Sequence, residues 1–410
     1  MDELKAKEMV IKAGKQLVES GLIVRTWGNV SCRIDKNRIA ITPSGKPYEN
    51  LSPEDIVVVN LADESYEGNI KPSSEKGFHV EVYRQRPEIN FVVHTHQINA
   101  SLVSPLQRDI VVTNKNTASI TGEKIVCAEY GLPGSKKLKQ AVSKAVTKSK
   151  GKGFLLAYHG ALCLGESYEE AFRVASYLEE ACKDFLIDQF HRVSGKNIDS
   201  LDSAEMRDYF LQQKNVYNNQ QSPIHLYNSI KKGEKIILYP EASVENPFPS
   251  SENNLEINLK GSLTAEIPPE HSQQAILHRA IYRKNKNLGA VVHTTYPEIM
   301  TVSQTGQKML PLLDDFAQII GPSVKVASSI YQPFNIARKF NLRSAVLIKN
   351  NGALCCGPNQ SDANAAALVM EKGCKTLIAT SIFKFPPAPI NALESWLMRI
   401  IYLAKYSRQA

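Results

Sequence analysis

Two copies of an α/β domain in tandem are what this sequence predicts, and three observations carry the prediction. Its 410 residues exceed the ~250–300 at which a single hydrophobic core stops growing. Short strand-like runs alternate with helical ones in the first half, the pattern of a layered α/β domain. A stretch of the first half then returns in the second. Ser73–His96 (SSEKGFHVEVYRQRPEINFVVHTH) lies beside Ser272–Thr295 (SQQAILHRAIYRKNKNLGAVVHTT) at a constant offset of 199 residues. His79 faces His278, Tyr83 faces Tyr282, and Val92–Thr95 faces Val291–Thr294. Further on, Gly153–Gly165 (GFLLAYHGALCLG) matches Ser344–Gly357 (SAVLIKNNGALCCG), which sets His159-Gly160 on Asn351-Gly352. Two matches in the same order indicate a tandem duplication.

The elements follow in order. Residues 3–20 have helical periodicity and stop at Gly21, a C-cap residue. Asn29–Ile34, Arg38–Thr42 and Asp55–Leu61 read as strands separated by turn residues. A helix is predicted from Ser73, a natural N-cap, to Arg84, ending before Pro87. Phe91–Val93 begins a buried strand that runs into His94-Thr95-His96. Gly153–Tyr158 is a second buried strand, followed by a helix from about Tyr168 to Asp188. The polar stretch Gln212–Gln221 (QQKNVYNNQQ) reads as a linker, dividing the chain into domains at 1–211 and 222–410.

Bulk properties narrow the class. The chain is 43% hydrophobic and 22% charged, an ordinary globular composition, and its net charge is +8. The densest basic stretch, Lys136–Lys152, holds seven lysines. No base-stacking aromatic interrupts it, so it reads as a solvated helix face and no nucleic-acid partner is expected. A mild positive bias is compatible with an anionic metabolite. The seven cysteines have no disulfide-type spacing and read as reduced thiols of a cytoplasmic protein. Met1–Lys5 is charged and lacks the apolar core of a signal peptide. No apolar run reaches the ~18–20 residues of a membrane span, so no membrane partner is expected.

The residues that could carry chemistry lie in the first half. His94 and His96, two apart on a strand, share a face. Two readings stand: a metal pair, or two ordinary polar residues at a strand end. His159, before Gly160, is by itself either a core residue or a ligand. Three histidines at the ends of buried strands fit a tetrahedral zinc site with one open position. Glu75, in the first turn of its helix, is a dipole partner, or near a metal a fourth ligand or general base. Gly28-Asn29, Ser44-Gly45 and Ser73-Ser74 are small donors in turns, and the last pair sits where a helix N-terminus favours an anion. The second half serves as an internal control. Its residues at the positions of Glu75, His96 and His159 are Gln274, Thr295 and Asn351, while the apolar pattern persists. His79 survives as His278 and is therefore assigned to packing or a structural hydrogen bond.

Five segments together resemble the class II aldolase/adducin family: Gly21–Ser31, Ile41–Asn60, Lys71–Pro87, Val92–His96 and His159–Gly165. The resemblance covers residues 1–217 and reaches the second half only as a degenerate repeat. It implies two tandem three-layer α/β/α domains, each around a central mixed sheet. It implies one zinc ion per chain, held by His94, His96 and His159, with Glu75 a ligand that becomes the acid/base when substrate displaces it. Gly28, Asn29, Ser44, Gly45, Ser73 and Ser74 would hold the phosphate of a phosphorylated sugar. The family's tyrosine acid falls at Lys115 here, and Tyr217 is the nearest candidate for a second, C-terminal tyrosine. Related 4-epimerases carry Asp where this chain has Glu75, which favours an aldolase. The expected reaction is retro-aldol cleavage of a ketose 1-phosphate to dihydroxyacetone phosphate and an aldehyde, through a metal-stabilised enediolate. The alternatives are an epimerase, dehydratase or decarboxylase on the same site, or an adducin-like binding module without metal. Fourfold rings in the family imply a homo-oligomer here, a dimer forming a pseudo-fourfold ring.

Overall fold

Asp2 caps the first helix by accepting from the Lys5 amide, and Ala6, Val10, Ala13 and Leu17 give that helix one buried face. Such local signals recur through a computed structural model that describes residues 1–23, 27–217, 222–224, 226–240, 254–260 and 269–405. The chain divides into two compact units, Met1–Leu201 with Phe385–Ala388, and Asp202–Lys384 with Pro389–Ala410. Of the sequence-read linker at 212–221, residues 218–221 lie outside the described part, as do 24–26 of the Gly21–Ser31 segment.

Unit 1 contains β1 (Gly28–Arg33), β2 (Arg38–Ile41), β3 (Val57–Asn60), β4 (Phe91–Thr95), β5 (Ile110–Val111), β6 (Lys124–Ala128), β7 (Gly153–Leu156) and β8 (Gly160–Gly165). Its helices are α1 (Glu3–Glu19), α2 (Lys76–Gln85), α3 (Ile98–Val103), α4 (Lys115–Thr121), α5 (Lys136–Lys148) and α6 (Tyr168–Ser194). The strands form one sheet in the order β3-β2-β1-β4-β8-β7-β6-β5. It is mixed: β6 and β7 run parallel and the other neighbours antiparallel. Alternation along the strands fills two cores. Ile39, Ile41, Val92, Phe154, Leu162 and Leu164 face α2 and α5, whose Phe78, Val82, Leu138 and Val142 complete that core. α1 and α6 cover the other face, so the domain has three layers. α6 is long because nothing interrupts its buried stripe. Ser167 caps its start and Gly195, at φ +70°, ends it.

Unit 2 contains α7 (Ala204–Gln213), β9 (Asn228–Lys232), β10 (Lys235–Tyr239), β11 (Leu255–Asn258), α8 (Pro269–Lys284), β12 (Ala290–Thr294), α9 (Pro297–Gln304), β13 (Lys325–Ala327), α10 (Pro333–Lys339), β14 (Ala345–Ile348), β15 (Ala353–Gly357), α11 (Gln360–Thr380) and α12 (Ala392–Lys405). Its sheet order, β11-β10-β9-β12-β15-β14-β13, repeats that of unit 1 strand for strand through β6, and β13–β14 is again the parallel pair. The duplication read from sequence is thus a duplication of topology.

Most lysines of Lys136–Lys152 lie on or beside α5. Lys139 pairs with Glu64 and Glu81, Lys148 with Asp109, and Lys152 with Glu166 and Glu170. No helix among the described residues is long and apolar enough to cross a membrane.

Candidate active site

The site grows from the pairing of three strands. β4 lies between β1 and β8, with Asn29 opposite His94 on one side and Leu162 opposite His94 on the other. His94 is therefore fixed in the middle of the sheet and fully buried. His96 follows one residue past the end of β4. His159 differs from its expected place at a strand end: β7 stops at Leu156, and His159 stands in the turn to β8. Tyr158 takes a left-handed φ of +60° there, and the His159 amide closes the turn on the Leu156 carbonyl at 3.0 Å. Gly160 makes the next step possible, because a Cβ at that position would stand 2.2 Å from the Thr95 carbonyl oxygen. Only a glycine lets β8 approach β4 so closely and deliver His159 beside His94.

The three imidazoles converge. His94 Nε2 lies 3.1 Å from His96 Nε2 and 3.0 Å from His159 Nε2. His94 Nδ1 is 2.9 Å from the Ala161 carbonyl and must donate to it, which leaves Nε2 as a lone pair. Three imidazole nitrogens facing one another at this spacing can hold a cation. Their spacing is close to the edge of about 3.3 Å that four ligands make around tetrahedral zinc at ~2.0–2.1 Å. Among the described residues this is the one group of three or more His, Cys, Asp or Glu side chains placed to hold a metal ion.

Glu75 completes the set. Its Oε1 is 3.0 Å from His159 Nε2, and its Oε2 is 3.4 Å from His94 Nε2. Burial opposes ionisation of Glu75, but the imidazoles of His94 and His159 outweigh it and hold the carboxyl well below the usual carboxylate range. Burial pushes His94 well below the ordinary imidazole range, against the pull of the Glu75 carboxylate. Glu75 is not in the first helical turn as expected, and Ser73 is not the N-cap. α2 begins at Lys76 with Glu75 itself at the cap position. Pro72 bridges Pro43, and the Ser73 amide bonds the Thr42 carbonyl, so the chain is still extended at Ser73 and turns only afterwards.

That same bridge gathers several of the small donors. The Ser44 amide bonds the Lys71 carbonyl at 2.9 Å, which sets Ser44-Gly45 beside Pro72-Ser73. Ser73 is buried, Ser74 is exposed, and Gly45 has a φ of +75°. Gly28 packs against the His94 carbonyl, 2.7 Å from where a Cβ would be. Asn29 is buried, and its Nδ2 donates to Glu75 Oε2 at 2.8 Å. Of the other two predicted residues, Lys115 is exposed and opens α4, and Tyr217 is 97% exposed. Sequence reasoning missed the bond from Asn29 Oδ1 to His79. Retention of His79 as His278 signalled only a structural hydrogen bond of that histidine, which both units make to a serine, Ser31 and Ser229.

In unit 2 the corresponding residues hold the chain's own backbone. The Asn351 side chain accepts from the Ile224 amide at 2.6 Å and donates to its carbonyl at 3.1 Å. The Tyr227 amide donates to Gln274. Both ring nitrogens of His293 are engaged, Nδ1 by the Leu226 amide at 3.4 Å and Nε2 by the Asn351 carbonyl at 2.8 Å.

A family model described as "Class II Aldolase and Adducin N-terminal domain" matches residues 8–186 and 244–378. The chain belongs to the class II aldolase and adducin family. Within that family it is 35% identical over 176 residues to a 5-deoxy-D-ribulose 1-phosphate aldolase of Bacillus thuringiensis serovar kurstaki, covering 43% of this chain and 81% of the relative. It is 36% identical over 179 residues to the L-fuculose phosphate aldolase of Haemophilus influenzae, covering 44% and 81%. A 3-oxo-tetronate 4-phosphate decarboxylase of the same organism is 32% identical over 219 residues, covering 51% and 97%. A solved L-fuculose 1-phosphate aldolase aligns at a TM-score of 0.43 with 30% identity, over 47% of this chain and 89% of its own. The two segments that match the family model fall one in each half of the chain.

Proposed function

We propose that unit 1 catalyses metal-dependent retro-aldol cleavage of a ketose 1-phosphate, releasing dihydroxyacetone phosphate and an aldehyde. The observation that carries this reading is a buried carboxylate, Glu75, set against three imidazoles whose Nε2 atoms face one another. The names of the two aldolase relatives supply the substrate class. His94, His96 and His159 would hold zinc with Glu75 as a fourth group, and the ion would supply Lewis-acid polarisation of a substrate oxygen. The chain's own residues do the rest. Glu75 carries the proton to or from the carbon that cleavage leaves electron-rich. Backbone and hydroxyl donors at Ser44, Gly45, Ser73 and Ser74, with Gly28 beside them, would hold the phosphate and fix the reacting bond. Lys115 and Tyr217 remain candidates for the second proton donor, to be tested by substitution.

A second reading has one observation behind it: the decarboxylase relative aligns over 97% of its length. Cleavage of a carboxylate instead of an aldehyde leaves the same electron-rich carbon. Product analysis by NMR on a panel of ketose 1-phosphates and phosphorylated oxo-acids separates the two. Dihydroxyacetone phosphate supports the first reading and carbon dioxide the second.

We further propose a cytoplasmic homo-oligomer. The seven free thiols fit a reducing compartment. α12 exposes Leu393, Leu397, Ile400 and Ile401 at helical spacing, an apolar stripe suited to a second copy of the chain.

A further inference from the structure

We infer that Asn29 is a positioning residue for Glu75, its amide held in one orientation by a buried chain of hydrogen bonds that begins at Tyr83. The inference rests on the reading of Glu75 as the residue that moves the proton. The chain runs through four links. Asn29 Nδ2 lies 2.8 Å from Glu75 Oε2, and Asn29 Oδ1 bonds His79 Nε2. His79 Nδ1 is 2.7 Å from Ser31 Oγ, and Ser31 Oγ is 2.9 Å from the Tyr83 hydroxyl, which also reaches the Ser31 carbonyl at 2.9 Å. All five side chains are buried.

Donor counting gives the chain a single direction. An ionised carboxylate only accepts, so Asn29 must turn its NH2 toward Glu75. Its oxygen then faces His79, which must carry its proton on Nε2. His79 Nδ1 is consequently an acceptor and the Ser31 hydroxyl donates to it, so the single Tyr83 proton is shared between Ser31 Oγ and the Ser31 carbonyl oxygen. The flipped amide would set two acceptors together, Asn29 Oδ1 against Glu75 Oε2. With Oε2 tethered in this way, Oε1 is the oxygen left facing His159.

Unit 2 shows which links belong to the fold. Ser229 Oγ is 2.7 Å from His278 Nδ1 and 3.0 Å from the Tyr282 hydroxyl, so the Ser-His-Tyr part is retained. Register makes Ser229 the counterpart of Ser31, since each pairs with the matching valine of its neighbouring strand, Val291 and Val92. Two residues earlier, Asn29 corresponds to Tyr227, and Glu75 corresponds to Gln274. The two groups that connect the chain to the chemistry are the two that differ. Asn29 also has both heteroatoms committed within the protein, which fits positioning better than phosphate capture.

The test compares wild type with Asn29→Ala and the nearly isosteric Asn29→Asp in the full chain. Nitrogen-15 NMR on histidine-labelled apo protein reads the His79 tautomer, and competition with a chromophoric chelator reads zinc affinity; neither needs a substrate. The expected results are an Nε2–H tautomer for wild-type His79 and roughly tenfold or greater loss of zinc affinity in both variants. With a turned-over ketose 1-phosphate, kcat falls while KM moves little. An Nδ1–H tautomer in wild type overturns the inference. So do unchanged zinc affinity and kcat with a raised KM, the signature of a phosphate contact. If no substrate is cleaved, the functional reading fails while tautomer and affinity still decide the role of Asn29.

Discussion

In the proposed reaction Glu75 moves the proton. Glu75→Gln keeps the shape of the side chain and one oxygen facing the imidazoles, so zinc should still bind. Turnover should fall by about 10²–10⁴-fold, the usual worth of a positioned acid/base. Metal analysis and kcat on the same preparation check this; an active Glu75→Gln enzyme removes the assigned role. Two buried histidines make a separate prediction. Burial pushes His79 down to about 3 and His278 to about 4, against ~6.5 for a free imidazole. As pH falls below ~6.5, the unfolded chain takes up protons that the folded rings refuse, so stability is full above that pH and is lost toward pH 4 and 3. The thermal midpoint should drop steadily between pH 7 and 4.5, and a flat midpoint contradicts the assignment. At this scale much was legible from sequence. Glu75, His96 and His159 stood out because their counterparts in the second half are Gln274, Thr295 and Asn351, and His94, retained as His293, stood out by its spacing from His96. The Asn29–His79 bond did not, because it depends on the register that sets Asn29 opposite His94.

At the scale of elements, the site depends on how closely β8 approaches β4. Gly160→Ala would drive a Cβ into the Thr95 carbonyl. The expected outcome is a lowered thermal midpoint together with weakened zinc binding, since the same displacement moves His159 away from His94. The second half offers a control: Gly352 meets the Thr294 carbonyl at the same 2.2 Å but serves no metal. Gly352→Ala should destabilise the chain and leave zinc affinity unchanged. Zinc affinity equally weakened in both variants would contradict this link. Periodicity in the sequence located the strands and helices that make this arrangement, and missed their ends. The sequence placed His159 on a strand and Ser73 at a helix cap. Tertiary pairing decided both: the β7–β8 turn took His159, and the Pro43–Pro72 bridge kept Ser73 extended.

Across the whole molecule, the two units share a topology and differ in what their central residues do. Unit 1 points three imidazoles at one another; unit 2 spends Gln274, His293 and Asn351 on the backbone of Ile224, Leu226 and Tyr227. The account therefore expects one zinc per chain, and loss of that zinc in His96→Ala. Two zinc ions per chain in metal analysis would show that unit 2 also binds. The apolar stripe on α12 expects a solution mass above that of one 45.5 kDa chain, and a monodisperse monomer in light scattering contradicts it. The duplication itself was legible because the match runs ungapped through a helix and a strand; the capture of Ile224, Leu226 and Tyr227 was not, because nothing in those residues marks them as partners of Gln274, His293 and Asn351. The most direct test of the central claim is dihydroxyacetone phosphate release from a panel of ketose 1-phosphates, with and without chelator. The account predicts release from at least one member, abolished by chelator and restored by zinc. No release from any member by protein holding one zinc per chain would contradict it.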